Sequence, residues 1–191
     1  MKVLVGCERF GRVRDAFARR GHEAWSVDLV AAPGVHIQGD VLDVLGMGWD
    51  LAIFHPECTY LAVSGLHWNG RIQGRAEKTE AALGFVKKLL NAKIKKIALE
   101  NPIGCISSRI RRPDQIIHPW QFGEDASKAT CLWLKGLPLL KPTKILPGGR
   151  SARRGNQTPS GQNKLGPSPE RAMLRAMTYQ GIADAMAEQW G

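Results

Sequence analysis

The sequence predicts an α/β protein with a Rossmann-like, mainly parallel sheet and helices on both of its faces. Short apolar runs of strand length alternate with helix-like segments through the first two-thirds of the chain. The 191 residues suffice for one hydrophobic core, so we expect a single domain over residues 1–191. A hydrophobic content of 43% and a charged content of 23% are typical of globular proteins.

The predicted elements follow one another regularly along the chain. Predicted strands cover residues 2–6, 22–29, 49–54, 96–100 and 130–134, and predicted helices cover residues 12–20 and 75–92. In the second helix, Ala82, Phe85 and Leu89 recur at helical spacing and form one apolar face. Ligands of such sheets bind at the carboxyl ends of the strands, so the residues that follow the strands are the candidates for a functional site.

The organisation changes after residue 102. Residues 105–123 are predicted to be irregular and basic, and residues 142–169 form a flexible basic loop rich in Gly, Pro, Ser, Asn and Gln. This loop contains five cations and no acid: Lys144, Arg150, Arg153, Arg154 and Lys164. Ser168 and Thr178 are predicted to cap two closing helices.

Charge and cysteine content restrict the class of partner. A formal net charge of +10 favours a polyanion, nucleic acid above all. The four cysteines lack metal-type spacing, so we expect reduced thiols and no bound metal. No apolar run reaches the roughly 20 residues that span a bilayer, and the first residues are typical of a strand rather than a signal peptide. We therefore expect a cytoplasmic protein without a membrane partner, and its oligomeric state is left open.

Two neighbouring strands end in chemically useful residues. Cys58 follows the 49–54 strand in a loop that Pro56 stiffens, and the 96–100 strand ends in Glu100, Asn101 and Pro102. A lone cysteine is more often a small buried hydrophobe, but the neighbouring carboxyl group favours a functional interpretation. We expect partial desolvation to raise the pKa of Glu100 and make it a proton donor near neutral pH.

This pair suits chemistry at carbon 5 of cytosine. That carbon is too weakly nucleophilic to attack a sulfonium methyl group directly. A thiolate that adds to carbon 6 converts the ring to an enamine, and an acid at ring nitrogen 3 stabilises the developing charge. Thiol and acid must therefore converge on one flat ring.

A donor site is predicted at the first strand. The turn from Gly6 to Gly11 lets the backbone approach a ligand, although it is not the GxGxxG dinucleotide motif. Asp28 ends the second strand, where acids bind ribose hydroxyls, and Asp40 is a candidate for an adenine amino group. Taken singly, such acids are more often caps or loop residues.

Together these residues resemble the 5-cytosine DNA methyltransferase superfamily, especially its short phage-borne members. The resemblance rests on the order of the glycine turn, Asp28, Gly39-Asp40, Pro56-x-Cys58 and Glu100-Asn101-Pro102. Pro119-Trp120-Gln121-Phe122-Gly123 and Thr178-Tyr179-Gln180-Gly181 extend it over most of the chain.

The resemblance implies a role for each residue. Cys58 would be the nucleophile, Glu100 the acid at nitrogen 3, and Asn101 part of the catalytic loop. An S-adenosyl-L-methionine donor, or a modified one, would be bound by Gly6, Phe10, Gly11, Asp28, Asp40 and Pro56. DNA, duplex or single-stranded, would be contacted by Pro102, Arg109, Arg111, Arg150, Arg153 and Arg154.

The chain departs from the family pattern in three respects. Glu57 replaces the second proline beside the nucleophile, and no Gln-x-Arg-x-Arg element is present, so Arg109 and Arg111 are only stand-ins. The chain has no room for a full target-recognition domain. We therefore hypothesise that the 142–169 loop closes over nucleic acid.

Two alternatives are left open. The same chemistry could act on a free cytosine nucleotide or RNA, or use a donor that carries another group. A catalytically inactive nucleic-acid-binding decoy is the second alternative, but binding alone requires neither Cys58 nor Glu100.

Overall fold

A seven-stranded mixed sheet forms the centre of the protein. The computed structural model describes residues 1–161, 163–166 and 168–191. The strands are β1 Lys2–Gly6, β2 Glu23–Asp28, β3 His36–Gln38, β4 Leu51–Phe54, β5 Lys96–Pro102, β6 Gln115–Ile117 and β7 Thr130–Lys135. Their order across the sheet is β3-β2-β1-β4-β5-β7-β6. The first five strands are parallel, whereas β7 is antiparallel to both of its neighbours.

Helices cover both faces of this sheet. They are α1 Arg12–Arg19, α2 Val41–Val44, α3 Val63–Leu66, α4 Arg75–Leu90, α5 Ile106–Arg109, α6 Pro169–Ala176 and α7 Gln180–Trp190, with 3₁₀ turns at Pro119–Gln121 and Gly149–Ser151. Side chains alternate along β1, so Val3 and Val5 pack with α1 and α7, while Leu4 packs on the opposite face with α4. The predicted Rossmann-like α/β fold is confirmed.

The long elements match the predicted ones to within about two residues because their periodicity extends over several turns or side-chain pairs. Short elements were missed. The segment predicted to be irregular contains α5, β6 and a 3₁₀ turn, because β6 is stabilised by pairing with β7 rather than by its own pattern. The same holds for β3, which pairs with β2.

The two predicted helix caps have different outcomes. The Ser168 side chain accepts a hydrogen bond from the Arg171 N–H at 3.1 Å, as predicted. Thr178 is not the cap of α7, because that helix begins after Tyr179. Instead, the carbonyl of Thr178 accepts a hydrogen bond from Arg12 Nη1 at 3.1 Å.

Within the described part of residues 142–169 the chain is mostly irregular up to Ser168, apart from the 3₁₀ turn. Residues 162 and 167 of this predicted loop lie outside the described residues. None of the helices in the described part of the chain is long and apolar enough to cross a membrane.

The sheet topology determines where a site can form. The strand order reverses between β1 and β4, and ligands of open α/β sheets bind at such a switch point. Because β7 runs in the opposite direction, its first residues reach the same edge as the last residues of β4 and β5.

Candidate active site

A cleft of about 910 Å³ lies at the carboxyl edge of β1, β4 and β5, with residues of α6 on its opposite side. The cleft brings together seven of the predicted site residues: Phe10, Asp28, Pro56, Cys58, Glu100, Asn101 and Pro102. The sequence motifs at the ends of four different strands, β1, β2, β4 and β5, therefore face one cleft.

The contact between His55 and Glu100 follows from strand register. Phe54 pairs with Leu99 in the parallel β4–β5 ladder, so the next residues, His55 and Glu100, lie side by side. His55 Nδ1 is 2.9 Å from Glu100 Oε2, and the two side chains are 8% and 13% exposed. With its proton on Nδ1, the imidazole donates to the carboxylate; His55 Nε2 is buried without a partner among the described residues.

The environment of Glu100 corrects one prediction. Burial would raise the pKa of Glu100, but the hydrogen bond from His55 and the positive charge of Lys128 outweigh burial. Further hydrogen bonding from Thr130 acts in the same direction, and the net pKa is lowered. The predicted rise is therefore wrong, because the sequence did not reveal the cations and donors that surround the carboxyl group.

Cys58 is half-buried in the loop after β4. Burial raises the pKa of its thiol, and the Glu100 carboxylate raises it further. The positive charges of Lys128 and Arg175 oppose this rise. Lys128 therefore acts electrostatically on both Cys58 and Glu100, and its Nζ is held by the Arg175 carbonyl at 2.9 Å.

Asn101 fixes the Cys58 loop to β5. Its Nδ2 donates to the Pro56 carbonyl at 2.7 Å, and the residue is 1% exposed. A second attachment joins Ala62 to Gly104, where a Cβ would overlap the Leu61 carbonyl oxygen. These contacts hold the Cys58 loop against β5.

The donor side of the cleft lies at the end of β1. Asp28 Oδ1 accepts a hydrogen bond from the Val30 N–H at 3.0 Å, while Oδ2 has no hydrogen bond within the described part of the chain. Cys7 faces the cleft with a left-handed φ of 59°. Burial and the charges of Asp28 and Asp40 raise the pKa of Cys7 to about 12. A free carboxylate oxygen near a glycine-bounded turn fits a ribose hydroxyl.

Three residues predicted to bind the donor do not line the cleft: Gly6, Gly11 and Asp40. A Cβ on Gly6 would lie 2.6 Å from Val41 Cγ2, so packing requires this glycine. Gly11 precedes α1 with a φ of 67°. Asp40 caps α2 by accepting a hydrogen bond from the Leu42 N–H at 2.9 Å.

The predicted DNA-contacting arginines also lie outside the cleft. Arg109 forms an ion pair with Glu80, and Arg111 forms one with Asp114. Arg154 is 5% exposed, whereas Arg150 and Arg153 are exposed on the basic loop. The cations that do face the cleft are Arg9, Arg75, Lys128, Arg171 and Arg175.

Sequence reasoning missed several residues at the site, among them Lys128, Arg175, His55 and Glu8. Lys128 lies before β7 in a stretch that resembles the phage-borne proteins, but nothing in the sequence connects it with the site. Arg175 reaches the cleft only because α6 folds over it. His55 could have been found, because it immediately precedes Pro56 and its register with Glu100 follows from adjacent parallel strands. Glu8 is also buried in the cleft wall, where its carboxylate accepts hydrogen bonds from the Val13 and Arg14 N–H groups of α1 at 2.6 and 3.2 Å.

One solved structure gives a comparison for this fold. A protein described as a DNA modification methyltransferase encoded within a prophage of E. coli matches with a TM-score of 0.50 and 15% sequence identity. The match covers 76% of this chain and 51% of that one, so this chain spans about half the length of the protein it matches. At this identity the likeness is one of fold alone, and it agrees with the Rossmann-like α/β fold of this chain.

No protein-family model and no curated protein matches the chain. Among residues 1–161, 163–166 and 168–191, no group of three or more His, Cys, Asp or Glu side chains is arranged to hold a metal ion.

We predict that Lys128→Met raises the pKa of Cys58, because it removes the largest charge that opposes burial of the thiolate. The thiolate is the form that iodoacetamide alkylates, so the alkylation profile should move to higher pH. Mass spectrometry of the Cys58 peptide across a pH series measures this shift. Lys135→Met, at the other end of β7, is the matched control and should leave the profile unchanged. Equal profiles for the parent and Lys128→Met would contradict the assigned electrostatic contact.

A second prediction concerns the His55–Glu100 pair. His55→Leu removes the hydrogen bond and should raise the pKa of Glu100, since burial then acts with less opposition. His55→Gln retains an N–H donor and should shift the pKa less. Carboxyl ¹³C titration of glutamate-labelled protein measures the pKa, with Glu100→Gln to assign the resonance. An unchanged titration in His55→Leu would show that the imidazole does not influence the carboxylate.

Proposed function

We propose that this chain transfers a methyl group from an S-adenosyl-L-methionine-type donor to carbon 5 of cytosine in DNA, through a covalent adduct at Cys58. The observation that carries the proposal is the convergence of Cys58 and Glu100, from neighbouring strand ends, on the same cleft as the β1 turn. Thiol and carboxyl group are the two reacting groups that this chemistry requires at one flat ring.

Proton supply in this mechanism comes from the His55–Glu100 pair. Ring nitrogen 3 accepts a proton as the Cys58 sulfur bonds to carbon 6, so a bare carboxylate at Glu100 is insufficient. Because its pKa is lowered, Glu100 is ionised before substrate enters and needs a proton donor. We infer that His55 acts as the imidazolium: its Nδ1 proton moves to Glu100 as Glu100 protonates nitrogen 3, and a neutral imidazole that keeps its Nε2 proton remains.

Activation of the nucleophile requires a nearby cation. Burial alone leaves the thiol of Cys58 protonated at neutral pH, because its pKa is raised. Lys128 and Arg175 favour the thiolate. A bound base that excludes water would strengthen the attraction between these cations and the thiolate. The two cations thus offset part of the desolvation energy that disfavours the thiolate in this half-buried loop.

The donor would be held by Asp28, Phe10 and the turn after β1. Asp28 has a carboxylate oxygen available for a ribose hydroxyl, and Phe10 lines the same part of the cleft. The donor supplies an electrophilic methyl group. Cys7 cannot compete as the nucleophile, because a thiol with a pKa of about 12 is almost entirely protonated at neutral pH.

A nucleic-acid substrate is supported by charge and by the depth of the cleft. Arg75, Arg171 and Arg175 line the same cleft as Cys58, where they can neutralise phosphates. A base within a duplex cannot reach a nucleophile inside a cleft, so the target cytosine must leave the stack. The neighbour's description as a DNA modification methyltransferase points to the same substrate class.

Cys58→Ser should abolish transfer while the protein remains folded, because a serine hydroxyl does not add to carbon 6 under these conditions. Nucleoside mass spectrometry of DNA incubated with protein and donor measures the product. Cys105→Ser is the matched control: it alters a thiol outside the cleft and should retain most of the activity. If Cys58→Ser kept a rate within about tenfold of the parent, roughly 1.4 kcal/mol of barrier, the covalent mechanism would be wrong.

The same assay separates the alternatives. Parallel incubations with single-stranded DNA, duplex DNA, RNA and deoxycytidine monophosphate identify the substrate, and the mass added to cytosine identifies the transferred group. Absence of product on every substrate, with DNA binding retained, would favour the decoy.

Asp28→Ala should weaken binding of S-adenosyl-L-methionine by roughly 1–3 kcal/mol, the cost of losing a charged hydrogen bond. Isothermal titration calorimetry measures the affinity. Asp43→Ala removes an exposed acid outside the cleft and should have no effect. Equal affinities for the two variants would place the ribose elsewhere.

A further inference from the structure

A second cavity, separate from the cleft, lies against the basic loop. It has a volume of about 390 Å³ and is lined by Asp125, Arg153, Arg154, Gly155, Gln157, Pro159 and Lys164. Three of these residues are cations and one is an acid. The acid is already engaged, because Asp125 Oδ2 accepts a hydrogen bond from the Gly155 N–H at 2.9 Å.

Arg154 is the unusual member of this cavity. The residue is 5% exposed, and its Nη2 donates to the Gly149 carbonyl at 2.6 Å. Its Nε is buried without a hydrogen-bond partner, and no carboxylate forms an ion pair with it in the described part of the chain. The Trp120 ring lies 5.4 Å from the guanidinium carbon, which offsets only part of the desolvation cost. A buried cation without a counterion is expensive, so an anion would complete this site.

The loop that carries these cations is held in a defined conformation. Asn156 accepts a hydrogen bond from the Ser127 N–H at 2.8 Å and donates one to the Ser127 carbonyl at 3.1 Å. Gln157 accepts a hydrogen bond from the Arg154 N–H at 2.9 Å, which closes the turn below the cavity. The loop backbone that carries these cations is therefore held to the rest of the protein by hydrogen bonds, and the cations line the cavity.

We propose that this cavity is a phosphate-binding site. Arg153, Arg154 and Lys164 supply three positive charges against the one of Asp125, and guanidinium groups favour the tetrahedral oxygens of phosphate. Arg154 is the buried anchor, and Arg153 and Lys164 are its exposed companions.

A short stretch of chain joins the cavity to the cleft. Asp125 lines the cavity and Lys128 lines the cleft, and three residues of chain span at most about 11 Å. A single strand rises about 3.4 Å per nucleotide, so a backbone phosphate a few nucleotides from a base in the cleft reaches the cavity. The assignment of the phosphate to a nucleic-acid backbone rests on the proposed function, whereas phosphate binding itself does not.

The test compares two variants that each lose two exposed cations. Arg153→Ala/Lys164→Ala alters the cavity, and Lys93→Ala/Lys141→Ala is the charge-matched control outside it. Arg154→Ala is avoided as the primary variant because loss of a buried residue can unfold the protein. The probe is inorganic phosphate, followed by its ³¹P NMR line width. We expect the parent and the control to broaden the line and the cavity variant to lose the broadening. Equal broadening by all three proteins overturns the proposal.

The second measurement identifies the source of the phosphate. Binding of a single-stranded oligodeoxynucleotide is followed by fluorescence anisotropy across a salt series. Loss of one phosphate contact flattens the log–log salt slope by about 0.7 in the cavity variant relative to the control, which assigns the site to the strand backbone. Equal slopes, with phosphate binding lost, assign it to free phosphate or a mononucleotide. Both measurements apply to the Cys58→Ser protein, so failure of methyl transfer and failure of the phosphate site are distinguishable.

Discussion

The parallel pairing of β4 with β5 is the interaction on which the rest of the candidate site depends. The register that pairs Phe54 with Leu99 places His55 beside Glu100, and the adjacent Asn101 reaches back to the Pro56 carbonyl. A slip of one residue would turn Glu100 to the opposite face of the sheet and separate it from the thiol loop. Core packing fixes this register, because Ile53 and Phe54 are fully buried on opposite faces. The geometry of the site is thus a consequence of the hydrophobic packing of the strand residues that precede it.

Electrostatic balance in the cleft comes from elements that are distant in sequence. β7 is antiparallel to β5, so Lys128 arrives from the opposite direction at the edge where Cys58 and Glu100 end. Its charge favours the ionised forms of both groups, whereas burial opposes them. The site therefore keeps a thiol and a carboxylate close together without a metal ligand cluster in the described residues. In the proposed reaction, the proton that Glu100 passes to the base comes from its hydrogen-bond partner His55.

The basic character of the chain has three separate physical origins. Some cations stabilise the fold through ion pairs, as Arg109 does with Glu80. Others face the cleft, such as Lys128 and Arg175. A third group surrounds the second cavity, with Arg154 buried in its wall. Net charge alone cannot separate these roles, since only contacts show which charges are already neutralised. A polyanion that engaged cleft and cavity together would be held at two separate points.

The sequence by itself determined the fold class, the long strands and helices, and the strand-end positions of Asp28, Cys58 and Glu100, because periodicity and strand order are local properties of the chain. It did not determine the sign of the Glu100 pKa shift, the structural rather than ligand-facing positions of Gly6 and Asp40, or the burial of Arg154. Those depend on which distant residues pack against each group. Desolvation and charge–charge interaction act through space, so only the tertiary structure decided them.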